Sequence, residues 1–272
     1  MQANAALPTY FIPHGGGPCF FMDWTMGPKD TWDSLADWLK QMRESIGAVP
    51  KAILVISGHW EEDTVSITSN PKPDLIFDYH GFPEHTYKLT WPAPGAPDLA
   101  RQIQITLQDS GIPARLDPER GFDHGVFIPF KLIYPEAEIP TVVLSLRSDL
   151  DPAFHLRLGR ALAPLREQGV LIVGSGMSYH NLRAFGPAGA ADAERFDGWL
   201  TEAVLNPDTR LRDEALRQWE GAPSARKAHP REEHLLPLMV AAGAAGLDPG
   251  QQVFSDEIMG MVISAYRFGQ PV

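Results

Sequence analysis

Histidine is the residue type in this chain best suited to chemistry, and four of the nine histidines occupy related positions. His14 follows the apolar run Thr9–Pro13 and precedes Gly15, Gly16 and Gly17. His59 follows the run Ala52–Ser57 and one glycine, and His180 stands shortly after Val170–Val173. His234 falls in a segment, Arg231–Ala242, whose pattern predicts a helix entered through Pro230. Neutral imidazole offers a lone pair near physiological pH and is the commonest metal ligand. A catalytic ion also needs coordination positions left open. His14, His59 and His234 could hold one face of such an ion, with His180 opposite as an acid/base group or hydrogen-bond donor. Glu232 or Glu233 could instead complete a site of two histidines and one carboxylate, and spacing alone does not choose. Otherwise the two glutamates simply face the positive end of the helix.

Other residues extend this constellation. In Gly121-Phe122-Asp123-His124-Gly125, Asp123 could orient a neighbour and His124 could bind an acidic substrate oxygen, or the segment is an ordinary turn. His229 is a candidate substrate-side group or a plain helix-entry residue. Trp60, Phe82, Tyr87 and Trp91 could shape an aromatic pocket or seal the core. Gly15–Gly17 is not a phosphate loop, because the downstream Gly, Lys and Ser/Thr arrangement is missing. Neither zinc-finger spacing nor a contiguous metalloprotease motif is present.

The elements that must position these residues alternate between strand and helix. Strands are expected at Thr9–Pro13, Ala52–Ser57, Val65–Thr68, Ile112–Leu116, Ile139–Leu146, Val170–Val173 and Gly260–Arg267. Helices are expected at Thr31–Ile46, Asp98–Ser110, Val126–Tyr134, Asp151–Gln168, Ala191–Val204, Arg210–Arg217 and Arg231–Ala242. Near-continuous apolar strands such as Ala52–Ser57 suit a parallel sheet buried on both faces. The alternation implies an α/β fold: one layered domain over residues 1–272, its central, mostly parallel sheet flanked by helices. In such sheets ligands bind beyond the carboxyl ends of strands, which is where histidines distant in sequence can converge. Asn70–Pro97 is irregular and rich in proline and aromatics, either a functional loop or a long cover over the core.

Composition narrows the function classes. Lys and Arg total 23 against 34 Asp and Glu, a formal net charge of −11, which disfavours nucleic acid and anionic membranes as partners. The single cysteine, Cys19, rules out an intramolecular disulfide. Met1–Pro8 lacks the features of a signal peptide, and no run approaches a membrane span, so a cytoplasmic location is expected.

Taken together, several short blocks resemble the bacterial and plant extradiol ring-cleaving dioxygenases of the DOPA-dioxygenase type, within the class III superfamily. They are Pro13-His14-Gly15, Ser57-Gly58-His59-Trp60, Tyr79-His80-Gly81-Phe82-Pro83, Gly121-Phe122-Asp123-His124-Gly125, Gly174-Ser175-Gly176 with His180-Asn181-Leu182-Arg183, and His229-Pro230 with Glu233-His234-Leu235-Leu236-Pro237-Leu238. The resemblance spans most of the chain. It implies His14, His59 and His234 as metal ligands, His180 as the catalytic group opposite them, and His124 as a further substrate-side residue. Many relatives in the wider superfamily use two histidines and a glutamate; this branch has histidine in the third position, which His234 matches. The implied cofactor is non-haem Fe(II), with zinc the alternative bound metal. The implied reaction cleaves a catecholic ring beside its hydroxyls with O2, giving a semialdehyde-type product, and self-association is expected by the same analogy. Two rivals remain from the residues alone: a zinc hydrolase using the same shell to activate water, and a non-catalytic protein stabilised by a closed metal site.

Overall fold

In a computed structural model that describes residues 6–272, eight strands form one sheet. Residues 1–5, which belong to the expected domain span and to the segment tested for a signal peptide, lie outside the described residues. The strands are β1 (Thr9–Pro13), β2 (Ala52–Glu62), β3 (Val65–Thr68), β4 (Ala114–Asp117), β5 (Thr141–Arg147), β6 (Val170–Gly176), β7 (Gly250–Ile258) and β8 (Met261–Phe268). Their order is β4-β3-β5-β2-β6-β1-β8-β7. The four central strands, β5, β2, β6 and β1, are mutually parallel, so their carboxyl ends lie along one edge. Antiparallel pairing is confined to β3 with β5 and to β8 with β1 and β7. The mostly parallel α/β sheet expected from the sequence is therefore present.

The helices are α1 (Asp33–Ile46), α2 (Pro97–Asp109), α3 (His124–Ile133), α4 (Pro152–Leu162), α5 (Pro187–Val204), α6 (Thr209–Arg217), α7 (Ala225–Ala228) and α8 (Leu236–Ala245). All ten residues of α8 are buried, because it lies between α4 and the β1–β6 part of the sheet. A helix covered on every side needs no polar face, and Ala and Gly let it pack closely. Among the described residues no helix is long and apolar enough to cross a membrane.

Several boundaries differ from the sequence reading, each for a physical reason. The strand expected to end at Ser57 continues to Glu62, since Glu61 and Glu62 pair again with Leu146 and Arg147 after a register shift. His59 sits inside that irregularity rather than after the strand. The helix expected from Arg231 begins at Leu236, with Pro237 in its first turn, and residues 233–235 form a turn ahead of it. The Asp151–Gln168 helix gives way at Ala163 to a 3-10 turn containing Pro164. β7 has no expected counterpart because its residues are mostly half-buried or exposed and carry no apolar alternation.

Candidate metal centre

The carboxyl edge of the central sheet gathers five histidines. His14 leaves β1, and its backbone N–H donates to the Gly176 carbonyl of β6 at 3.1 Å. His59 projects from the irregular part of β2, where its backbone N–H donates to Ser57 Oγ at 3.2 Å. His234 comes from the turn before α8, pinned when Met177 N–H donates to its carbonyl at 3.0 Å. Two glycines make that approach possible. A Cβ on Gly58 would stand 3.1 Å from the Glu233 carbonyl, and one on Gly176 would overlap the His234 carbonyl. His124 opens α3, and His180 follows β6, its backbone N–H donating to Ala228 at 3.0 Å.

His59 Nε2 lies 3.1 Å from His14 Nε2 and 3.1 Å from His234 Nε2. Nitrogens bound at about 2.0–2.1 Å to one ion are separated by roughly this distance. The opposite ring atoms decide where the protons are. His14 Nδ1 is 2.9 Å from the Gly15 carbonyl, His234 Nδ1 is 3.0 Å from Glu233 Oε1, and His59 Nδ1 is 3.3 Å from Asp78 Oδ2. These oxygens only accept, so each Nδ1 carries the hydrogen and each Nε2 presents a lone pair to the shared centre. The donor set fits a metal held by three neutral imidazoles.

Electrostatics agree for two of the three. Burial, reinforced by neighbouring histidines, holds His14 and His234 well below the ordinary imidazole range, so both are neutral at pH 7. Burial also pushes His59 down, but the carboxylates of Asp78, Asp123 and Glu233 outweigh it and raise its pKa. A metal on His59 therefore displaces a proton more tightly held than usual.

The other two histidines flank this triad. The His124 ring centroid is 4.0 Å from that of His59, and His180 stacks on His234 with centroids 3.3 Å apart and planes at 18°. His124 Nδ1 donates to Asp78 Oδ1 at 2.8 Å, and His180 Nδ1 to Glu233 Oε1 at 3.1 Å. Burial lowers the pKa of His124, although Asp78 opposes it.

The remaining sequence candidates divide. Asp123 is fully buried beneath the site, where it accepts from Ser57 Oγ at 2.8 Å and from Arg120 at 3.1 Å. Through Ser57 it steadies the His59 backbone. His229 is fully buried between Phe196 and Trp219, and its Nε2–H donates to the Ser178 carbonyl at 2.9 Å. Burial lowers it to about 4, so it is a neutral packing histidine behind the His180 segment. Trp91 is buried with Phe122 and Phe130, its indole N–H donating to the Tyr134 carbonyl at 2.9 Å. Trp60 is buried under Arg120, whose guanidinium carbon is 5.1 Å from the ring. Both indoles act as core. Phe82 is half-buried against Gly17 and Tyr79, and His80 of the same block is exposed. An 840 Å³ cleft lined by Met26, Ser34, Phe185, Gly186, Asp256 and Met259 is not bordered by the histidines.

Sequence reasoning missed Asp78 altogether and left Glu233 as an alternative ligand rather than a partner of ligands. It quoted Tyr79 only as part of a motif and gave it no role, yet its ring meets His124 edge-on at 5.8 Å. The available signal was position: Asp78 directly precedes, and Tyr79 begins, the Tyr-His-Gly-Phe-Pro block of the long irregular segment. That segment contributes directly to the site.

Comparison with known proteins identifies the family. Residues 8–269 match the family described as the catalytic LigB subunit of aromatic ring-opening dioxygenase. A 4,5-DOPA dioxygenase extradiol of Beta vulgaris is 40% identical over 267 residues, covering 96% of each chain. A dioxygenase, tasH, of Hapsidospora irregularis is 37% identical, covering 96% of this chain and 85% of its own. A crystal structure of an uncharacterised Escherichia coli K12 protein superposes with a TM-score of 0.73 at 28% identity, covering 97% of this chain and 100% of that one. With the histidine-lined sheet edge and a family match over nearly its whole length, the chain belongs to the LigB family of aromatic ring-opening dioxygenases, the class III extradiol enzymes.

Proposed function

We propose that this enzyme uses non-haem Fe(II), held by His14, His59 and His234, to cleave a catecholic ring beside its hydroxyls with O2. The observation that carries the reading is the convergence of three Nε2 lone pairs, each fixed by an oxygen acceptor behind its ring. When bound, Fe(II) supplies the redox chemistry that joins an electron-rich catecholate to dioxygen; zinc would fill the same shell without redox chemistry.

The chain's own residues handle protons and orientation. His180 has its Nδ1–H committed to Glu233, which leaves Nε2 free to take a proton from a catechol hydroxyl and return it during ring opening. Glu233 stabilises the charge on that imidazole while it holds the proton. His124, neutral and backed by Asp78, offers its own Nε2 to a substrate hydroxyl or polar substituent. The relatives' names make DOPA a natural member of the substrate panel.

Anaerobic reconstitution with Fe(II), then a catechol panel with oxygen uptake and product mass followed together, tests this reading. Stoichiometric oxygen consumption with a yellow product heavier by two oxygen atoms is expected. Absence of turnover across the panel at verified iron occupancy would overturn it, and zinc-dependent, oxygen-independent hydrolysis would replace it.

A further inference from the structure

Two carboxylates touch four of the five clustered histidines, in matching pairs. Asp78 meets His59 through Oδ2 at 3.3 Å and His124 Nδ1 through Oδ1 at 2.8 Å. Glu233 meets both His234 at 3.0 Å and His180 at 3.1 Å, through the single atom Oε1. Each carboxylate thus holds one histidine of the proposed metal face and one of the proposed substrate side. Asp78 Oδ1 also accepts from the His124 backbone N–H at 2.9 Å. It thereby caps α3 in place of Asp123, whose side chain makes no cap bond.

We infer that Asp78 and Glu233 are paired positioning residues, each fixing the Nδ1–H tautomer of one ligand histidine and one substrate-side histidine. The inference rests on the metal-centre reading above. Asp78 and Glu233 each also lie within ligand distance of two histidines; in the inferred arrangement neither is a ligand, and each acts through imidazoles by accepting hydrogen bonds. Because one group serves both sides, metal binding and the orientation of the proton-handling histidine are set together.

The geometry dictates an asymmetry between conservative variants. Asp78 uses both oxygens for different histidines. In Asp78→Asn the amide NH2 must face an imidazole N–H, and keeping the two His124 bonds turns it toward His59. His59 then moves its hydrogen to Nε2 and loses the lone pair aimed at the metal. Glu233 uses one oxygen for both histidines, so Glu233→Gln can keep both bonds and Glu233→Leu can keep neither.

Zinc titration of the full-length protein against a competing chelator, with no substrate, reads the first consequence. Asp78→Asn and Glu233→Leu should bind zinc roughly 10–100-fold more weakly, and Glu233→Gln should stay close to wild type. Imidazole 15N NMR of metal-free wild type, at a pH where the rings are neutral, reads the tautomers without any variant. His59, His124, His180 and His234 should all show hydrogen on Nδ1, and Asp78→Asn should transfer it to Nε2 of His59. Unchanged zinc affinity in Asp78→Asn and Glu233→Leu, or wild-type His124 and His180 protonated on Nε2, would overturn the inference. Neither readout requires ring cleavage, so failure of the catechol assay would leave this result standing, and the reverse.

Discussion

The Nε2 atoms of His59 and His234 stand 3.1 Å apart although 175 residues separate them in the chain. Nothing local brings them together. β2 carries one to the sheet edge, and the turn before α8 carries the other across Gly58 and Gly176. The site is therefore a product of sheet topology, and its tests should separate ligands, proton handling and backbone fit.

Loss of a ligand should abolish tight binding outright. His234→Ala and His14→Ala should each cost more zinc affinity than the roughly 10–100-fold expected of an outer partner. Both should still fold, which circular dichroism of the metal-free proteins will show. Near-native zinc affinity in both variants would remove these residues from the ligand set.

His180→Ala should behave oppositely. Its Nδ1 is already bonded to Glu233, so removing the ring leaves the three Nε2 donors in place. Iron content should match wild type while kcat falls about 10²–10⁴-fold. Parallel loss of iron and activity would make His180 a ligand instead.

The glycine at the crossing of β6 with the His234 turn is a packing requirement. A methyl at Gly176 meets the His234 carbonyl and must displace it. Gly176→Ala should destabilise the protein by about 1–3 kcal/mol, as overpacking does elsewhere, and should also weaken zinc binding. Thermal unfolding and the chelator titration measure the two effects; a variant with native Tm and native affinity would show that the turn yields freely.

His155 gives a pH dependence remote from the metal centre. It is fully buried, donates from Nδ1 to the Asp151 carbonyl at 2.7 Å and accepts the Arg147 N–H at 3.1 Å on Nε2. Burial depresses its pKa to about 4. The unfolded chain takes up this proton near pH 6.5 and the native one only near 4. The stability contributed by neutral His155 is thus complete above pH 6.5 and is lost as pH falls toward 4. The loss amounts to roughly 3 kcal/mol at about 1.4 kcal/mol per pH unit. Urea unfolding of His155→Gln, whose amide can still donate and accept, should show a flatter pH dependence across that window. An unchanged slope would refute the assignment.

Much of this was readable from residue order. Apolar runs that end in Pro-His, Gly-His or Gly-Ser-Gly identify strands whose carboxyl ends carry the candidate site, because buried parallel strands need continuous hydrophobicity and their loops need turn residues. The alternation of those runs with helical patterns determined the α/β sheet, and the histidine blocks pointed to the edge of it where five of the rings gather. What only the tertiary structure decided is which atoms meet. Glu233 and His234 are adjacent in sequence, and periodicity assigned both to a helix. A turn held by Met177 sends the His234 ring to the centre and the carboxylate behind it. Asp78, in a segment without periodicity, reaches His59 and His124 from elsewhere in the chain. Trp91 and Trp60 have the composition of a substrate pocket, yet they pack into the core. Residue type sets what a side chain can donate or accept; the partner that fixes its proton is chosen by long-range packing, which local spacing does not encode.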